Sequence, residues 1–245
     1  MNKQVIKKIM EDAEALLTLK EGELLYSLPG KIPSVGVIVE IGSYKGGSTI
    51  LLAKSAKINK KGKVYAVDPF SILPRKKKRI FNIFKKNIKN AKIDDWITPI
   101  VKTSKQAAKN WQKPISLLWI DGRHDYEYVK MDFLLWEKHL INGGIIAFHD
   151  SQKPIYHYTK GPTKVVKENI YNSKRFVEIK KVDTITYAIK YKGANLTERL
   201  ENKLNLFEIE ILPIYLAIDR AIGLCGVFLK RHNPTLYFLI KRIKK

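Results

Sequence analysis

Acids and imidazoles stand where four apolar runs of this chain end. VIVEIGS delivers Glu40, VYAVD delivers Asp68, LLWIDGRH delivers Asp121 and His124, and IIAFHD delivers His149 and Asp150. Carboxylates are rarely buried without partners, so their recurrence at the ends of such runs is hard to explain by packing. Gathered on one rim, these residues could accept hydrogen bonds from hydroxyls, hold a divalent cation, or move a proton near neutral pH. The first run continues through Gly42, Ser43, Tyr44, Gly46, Gly47 and Ser48 into a helical pattern. Glycines at such a turn let the backbone approach a ligand over a helix start.

The elements that must position these groups alternate in type from residue 36 to 190. Strand-like runs lie at 36–42, 62–68, 97–102, 115–121 and 143–150, with helical patterns at 47–57, 75–92, 104–111, 126–140 and 161–171 between and after them. That order describes a parallel sheet covered on both faces. Two alternating runs, 175–182 and 184–191, are separated by little more than Asp183 and read as an antiparallel hairpin. The expectation is an α/β fold: a doubly wound, seven-stranded, Rossmann-like sheet closed by a C-terminal hairpin. In such sheets ligands bind at the carboxyl ends of the strands, where the acids stand. The domain is expected to span 1–193, with a basic, amphipathic helical tail over 194–245 broken near Pro213 and Pro234.

Bulk composition narrows the setting. At 245 residues, 45% hydrophobic and 28% charged, the chain is an ordinary folded protein, which excludes global disorder. One cysteine, Cys225, excludes an intramolecular disulfide framework and fits a reducing cytoplasm. MNKQVIKKIMEDAEALL carries acids within its apolar stretch, so it reads as an amphipathic helix and not as a signal peptide. The net charge of +23 has two explanations. An anionic partner such as nucleic acid, an acidic membrane face or a phosphorylated substrate is one. Lysine-rich composition is the other, since only 8 of the 46 basic residues are arginine. The RKKKR run at 75–79 carries the same two readings. The tail holds too many charges for a bilayer span; it suits packing on the domain or on a second subunit, or docking on an anionic membrane surface.

The loop itself points to one kind of cofactor. In GSYKGG the glycines fall at relative positions 1, 5 and 6, which fails the GxGxxG dinucleotide fingerprint. An ExGxxxGxS loop beside a cationic amino-acid tail, with Asp68 accepting both ribose hydroxyls, suits S-adenosylmethionine better than a pyrophosphate cofactor. Over 36–170 the ordered motifs VEIGSYKGGSTILLA, VYAVDPF, LLWIDGRHDYEYVKMDF and INGGIIAFHDS resemble a class I S-adenosylmethionine-dependent methyltransferase. The resemblance is to the branch of macrolide sugar O-methyltransferases and their cephalosporin-cluster relatives.

That resemblance implies that Glu40, Gly42, Ser43, Gly46 and Ser48 line the methionine end of the cofactor, with Tyr44 in the same loop. It implies that Asp68 takes the ribose, that Ser104 contacts adenine, and that Asp121 and His124 supply a magnesium ligand and a catalytic base. His149 and Asp150 stand where the branch completes its magnesium site, with His149 replacing a carboxylate. The expected reaction is O-methylation of a sugar, glycan or related small molecule. An RNA methyltransferase using the basic surface, and a non-catalytic membrane-associated protein of the same fold, are the competing readings. A cytoplasmic protein is expected, peripheral at the inner membrane face if the tail docks there, and the amphipathic ends offer surfaces for self-association. Trp119 and Trp136 are expected in the core. Tyr126 borders the substrate cleft or, like Tyr128, packs in the core; His157 and Tyr158 read as a surface loop, with substrate contact the alternative; and Asp125 and Asp132 are expected as helix-start and surface charges. His139 and His232 are assigned no role.

Overall fold

The computed structural model describes residues 2–70, 77–152, 160–193, 195–210 and 214. The chain divides into two compact units, Met1–Arg199 and Leu200–Lys245. In the first unit two helices, α1 (Lys3–Asp12) and α2 (Leu19–Ser27), precede the first strand; α2 lies beyond the single N-terminal helix expected from the sequence. There follow β1 (Val37–Ile41), α3 (Gly47–Ile58), β2 (Val64–Val67), α4 (Lys77–Asn90), β3 (Ile97–Ile100), α5 (Ser104–Ala108), β4 (Ile115–Ile120), α6 (Tyr126–Trp136), β5 (Leu140–Phe148) and α7 (Lys160–Val166). The hairpin β6 (Phe176–Val182) and β7 (Ile185–Lys190) comes next, and α8 (Leu196–Glu210) begins in the first unit and ends in the second.

The seven strands form one sheet, as the patterning predicts, in the order β3-β2-β1-β4-β5-β7-β6 that the patterning did not specify. Strands β1 to β5 are mutually parallel, and β7 runs antiparallel between β5 and β6. β4 reads ISLLWI and is buried at every position, as a strand covered on both faces must be. Pro99 lies in β3, an edge strand, where a missing N–H costs no ladder bond. Asp183 takes a left-handed φ of 49° in the two-residue turn between β6 and β7. The core is built on Trp119, Trp136, Phe70, Phe84 and Phe133, all fully buried or nearly so. Such side chains contribute about 1.5–3 kcal/mol each.

Two tight packings carry the N-terminal segment to the sheet's C-terminal rim. A Cβ on Gly22 of α2 would meet Met10 Sδ at 2.4 Å, and one on Gly47 of α3 would meet the Ala15 Cβ at 2.4 Å. The approach of Ala15 to Gly47 leaves no room for a side chain there, so this part of the N-terminal segment lies over the start of α3. Lys45 adds an ion pair to Glu14 at 2.5 Å. Among the described residues no helix is long and apolar enough to cross a membrane. Cys225, His157, Tyr158, His232, residues 215–245 of the tail and residues 75 and 76 of the basic run lie outside the described residues.

Candidate active site

The strand order reverses between β1 and β4, the place where doubly wound sheets open a crevice. A cavity of about 980 Å³ sits there. Gly42, Ser43, Tyr44, Ser48, Asp68, Ser104, Asp121, His124, His149 and Asp150 all line it, so residues far apart in sequence meet in one space as expected. Gly42 has a φ of +87°, and a Cβ there would fall 2.0 Å from the Asp121 carbonyl oxygen. The loops after β1 and β4 can therefore close on each other only through glycine. Tyr44, Phe70 and Asp150 also line the cavity with left-handed φ of 45°, 51° and 46°. Strain of this kind, on the order of 1 kcal/mol or more per residue, gathers at functional sites.

Two expected cofactor-lining residues are placed differently. Glu40 is fully buried under the loop, not in the cavity. Its carboxylate accepts hydrogen bonds from Ser43 Oγ (2.8 Å), Ser48 Oγ (2.5 Å) and Thr49 Oγ1. Burial pushes its carboxyl up to about 7, against the pull of those three hydroxyls. Gly46 is also buried away from the cavity; it precedes α3 with a φ of +90°, and a Cβ there would meet Phe84. Glu40 thus shapes the loop that Gly42, Ser43 and Ser48 present.

Asp68 faces the cavity but is also tied to the loop. Its Oδ2 accepts from the backbone N–H of Ser43 (2.9 Å) and Tyr44 (2.8 Å), and its Oδ1 from Phe70 N–H (2.5 Å). Ser104 starts α5 and accepts a hydrogen bond from Trp136 Nε1 at 2.8 Å. Beside it lies Asp132, which is buried and lines the cavity, a correction to its reading as a surface charge. Burial pushes its carboxyl up to about 6, opposed by a hydrogen bond with Ser104. Val129, Asp132, Phe133 and Trp136 form the buried face of α6, the i, i+3, i+4, i+7 pattern of a helix face turned inward.

On the other side of the cavity two acids alternate with two imidazoles. His149 Nδ1 lies 3.1 Å from Asp121 Oδ1 and 3.6 Å from Asp150 Oδ2. His124 Nε2 lies 3.7 Å from Asp121 Oδ1, and its Nδ1 lies 3.6 Å from Asp150 Oδ2. A third carboxylate, missed in the sequence, reaches in from α2: Glu21 Oε2 stands 3.5 Å from His149 Nε2. Glu21 is buried and also accepts from Thr18 N–H (2.9 Å), Thr184 N–H (3.0 Å) and Thr184 Oγ1 (2.6 Å). Burial works against its charge, yet the hydrogen bonds from His149, Thr184 and Thr18 hold its carboxyl down at about 2. Burial likewise opposes the charge of His149, but Asp121, Glu21 and Asp150 hold its imidazole up at about 11. The T-x-x-E capping box at Thr18–Glu21 was a legible helix-start signal. Nothing local says that the Glu21 carboxylate crosses to β5.

Trp119 and Trp136 are buried in the core as expected. Tyr128 lines the cavity with Arg123 stacked on its ring at 3.9 Å, whereas the Tyr126 hydroxyl donates to Glu168 at 2.7 Å. Asp125 precedes α6 on the surface and pairs with Arg123.

Residues 39–151 match the model of a family described as a methyltransferase domain. A curated relative, the uncharacterized protein R132 of Acanthamoeba polyphaga mimivirus, is 35% identical over 122 residues, 46% of this chain and 51% of its own length. This chain thus spans about half the length of that relative. Among solved structures, an O-methyltransferase from Bacillus cereus in complex with SAH superposes with a TM-score of 0.55 at 17% identity, over 78% of this chain and 92% of its own. The apo structure of CalS11, a TDP-rhamnose 3'-O-methyltransferase of calicheamicin biosynthesis, gives 0.50 at 14%, over 77% and 80%. An rRNA methylase from Streptococcus thermophilus gives 0.53 at 14%, over 73% and 100%. These likenesses carry the fold and do not choose among acceptors. The family match is to residues 39–151 alone, and the solved structures add a shared fold over most of the chain.

Proposed function

We propose that this chain transfers a methyl group from S-adenosylmethionine to a hydroxyl oxygen of a sugar or related small molecule, with His124 as the base. The observation that carries this reading is the shared cavity. One of its walls is the glycine loop with Asp68 and Ser104, and the other is His124 between Asp121 and Asp150. The cavity fits the methyl donor on two further grounds. Gly42 keeps the loop backbone bare beside Asp121, and the buried acid Asp132 adjoins Ser104, where the resemblance places adenine.

When bound, S-adenosylmethionine supplies an electrophilic methyl group, which passes to the acceptor oxygen as the bond from sulfur to methyl carbon breaks. The chain's own task is to hold the acceptor in line and to take its proton. Asp68 accepts the ribose hydroxyls in this reading, which its position on the cavity wall and its fixed direction from the loop contacts support. Ser43 and Ser48 offer hydroxyls near the methionine end, held by Glu40 from below. His124 takes the hydroxyl proton, and Asp121 and Asp150 stabilise the imidazolium that forms.

The resemblance also implies magnesium. Atoms of Asp121, His124 and His149 able to act as ligands lie within 4.8 Å of one another. Magnesium, however, demands oxygen ligands in octahedral array, and here two of the three donors are imidazole nitrogens. One of those rings already faces carboxylates at both ends. The donor set does not fit magnesium, and no step is drawn through it.

The sugar acceptor rests on the resemblance of LLWIDGRHDYEYVKMDF and INGGIIAFHDS to the sugar O-methyltransferase branch. The test is methyl transfer from labelled S-adenosylmethionine to a panel of nucleotide sugars and glycans, with RNA as the contrasting acceptor. Label entering a sugar, lost in His124→Ala, is the expected result. Label entering RNA alone would overturn the proposal.

A further inference from the structure

Position 149 is where the resemblance calls for a carboxylate ligand, and a histidine stands there. Its Nδ1 sits between the acids that close β4 and β5, 3.1 Å from Asp121 Oδ1 and 3.6 Å from Asp150 Oδ2. That is the place a divalent cation would take to bridge them. The carboxylate absent from β5 reappears on α2 as Glu21, on the far side of the ring, 3.5 Å from Nε2. The ring thus has a carboxylate at each end and stands, as a nitrogen base and not a hard oxygen ligand, between the two acids that a cation would share.

The surroundings fix this arrangement. Glu21 is 1% exposed and cannot turn away, because Thr18 and Thr184 hold both of its oxygens. The His149 side chain is 9% exposed and packs against Trp119, ring centroids 5.7 Å apart. A buried carboxylate needs a compensating partner, and among the described residues the side chain that faces Glu21 as a cation is His149. A cation entering between Asp121 and Asp150 would have to displace the His149 ring from Asp121 and sit beside the group that faces Glu21.

We infer that the His149 ring, clamped between Glu21 and the pair Asp121 and Asp150, takes the bridging place of a divalent cation, and that this site works without a metal. The inference rests on reading the cavity as a methyltransferase site, and it makes Glu21 a positioning residue for the acids beside His124. The carboxylates are kept in register by a group that is part of the chain, so the site does not depend on metal supply.

Chelator-treated full-length protein titrated with Mn2+ tests it, with free manganese followed by electron paramagnetic resonance. Binding of S-adenosylhomocysteine is measured by calorimetry on the same samples. The parent is expected to take up no manganese tighter than about 1 mM, and its S-adenosylhomocysteine affinity should be unchanged by chelator or metal. His149→Glu, which restores the carboxylate and removes the ring, should gain a manganese site at least about tenfold tighter. Stoichiometric, micromolar uptake by the parent that is lost in His149→Gln would overturn the inference. Should His149→Glu fail to fold, the parent titration alone decides. Absent S-adenosylhomocysteine binding would strike the methyltransferase reading and leave the manganese result standing.

Discussion

The two halves of the strand-end rim solve the same problem in opposite ways. At the ends of β1 and β2, the chain's own hydroxyls and amides answer the acids: Ser43, Ser48 and Thr49 for Glu40, and the N–H groups of Ser43, Tyr44 and Phe70 for Asp68. At the ends of β4 and β5, imidazoles answer the acids: His149 and His124 for Asp121 and Asp150. Hydroxyls and amides bring no charge of their own, so the first half is a fixed cradle. In the second half His149 is held charged by its acids, so charge is set against charge beside His124, the proposed base. The lesson is that where an acid stands matters less than what it is paired with.

Breaking the proton-handling half should give the largest effect. His124→Ala is expected to lower kcat by about 10²–10⁴-fold while S-adenosylhomocysteine affinity stays near the parent's, as general-base loss does. Calorimetry and single-turnover kinetics on one preparation check both parts.

The cradle should fail differently. Asp68→Ala removes the acceptor of three backbone N–H groups and the partner expected for the ribose. Hydrogen bonds to a charged group are worth about 1.5–3 kcal/mol, so affinity for S-adenosylhomocysteine should fall about 10- to 100-fold. The variant should also melt earlier, a loss His124→Ala should not share.

Glu40 sharpens the contrast through pH. Its folded-state carboxyl is raised to about 7 from an ordinary 4.5. Its contribution to stability is therefore fully present below pH 4.5 and is lost as pH rises through 7. Denaturant unfolding of the parent minus that of Glu40→Gln should fall by about 3 kcal/mol across that window. A flat difference would show that Glu40 is charged in the folded protein.

The smallest effect is expected from Thr18→Ala. It removes one half of the capping box on α2 and the hydrogen bond to Asp183 at 2.6 Å. Loss of such a cap costs about 1 kcal/mol. Urea unfolding should show that much and no more, since Glu21 keeps its bonds to Thr184.

What the sequence disclosed follows from this contrast. Asp68, Asp121, His124, His149 and Asp150 were legible because each ends an apolar run, and a parallel sheet delivers all such ends to one rim. The seven strands and the closing hairpin were legible from the alternation of elements, whereas their spatial order was not stated. The inward turn of Glu40 is a matter of side-chain direction, and it follows from Ser43, Ser48 and Thr49 standing three, eight and nine residues on. Asp132 was missed although its spacing from Val129, Phe133 and Trp136 placed it on the buried face of α6. Glu21 was out of reach: its contacts to Thr184 and His149 span 163 and 128 residues and exist only once α2 docks beside the hairpin turn.

A crystal structure with S-adenosylhomocysteine tests the central claim most directly. The account expects the ribose at Asp68 and the sulfur turned toward the space in front of His124, between the two halves of the rim. An adenosyl group held outside this cavity, or a sulfur facing away from His124, would contradict it.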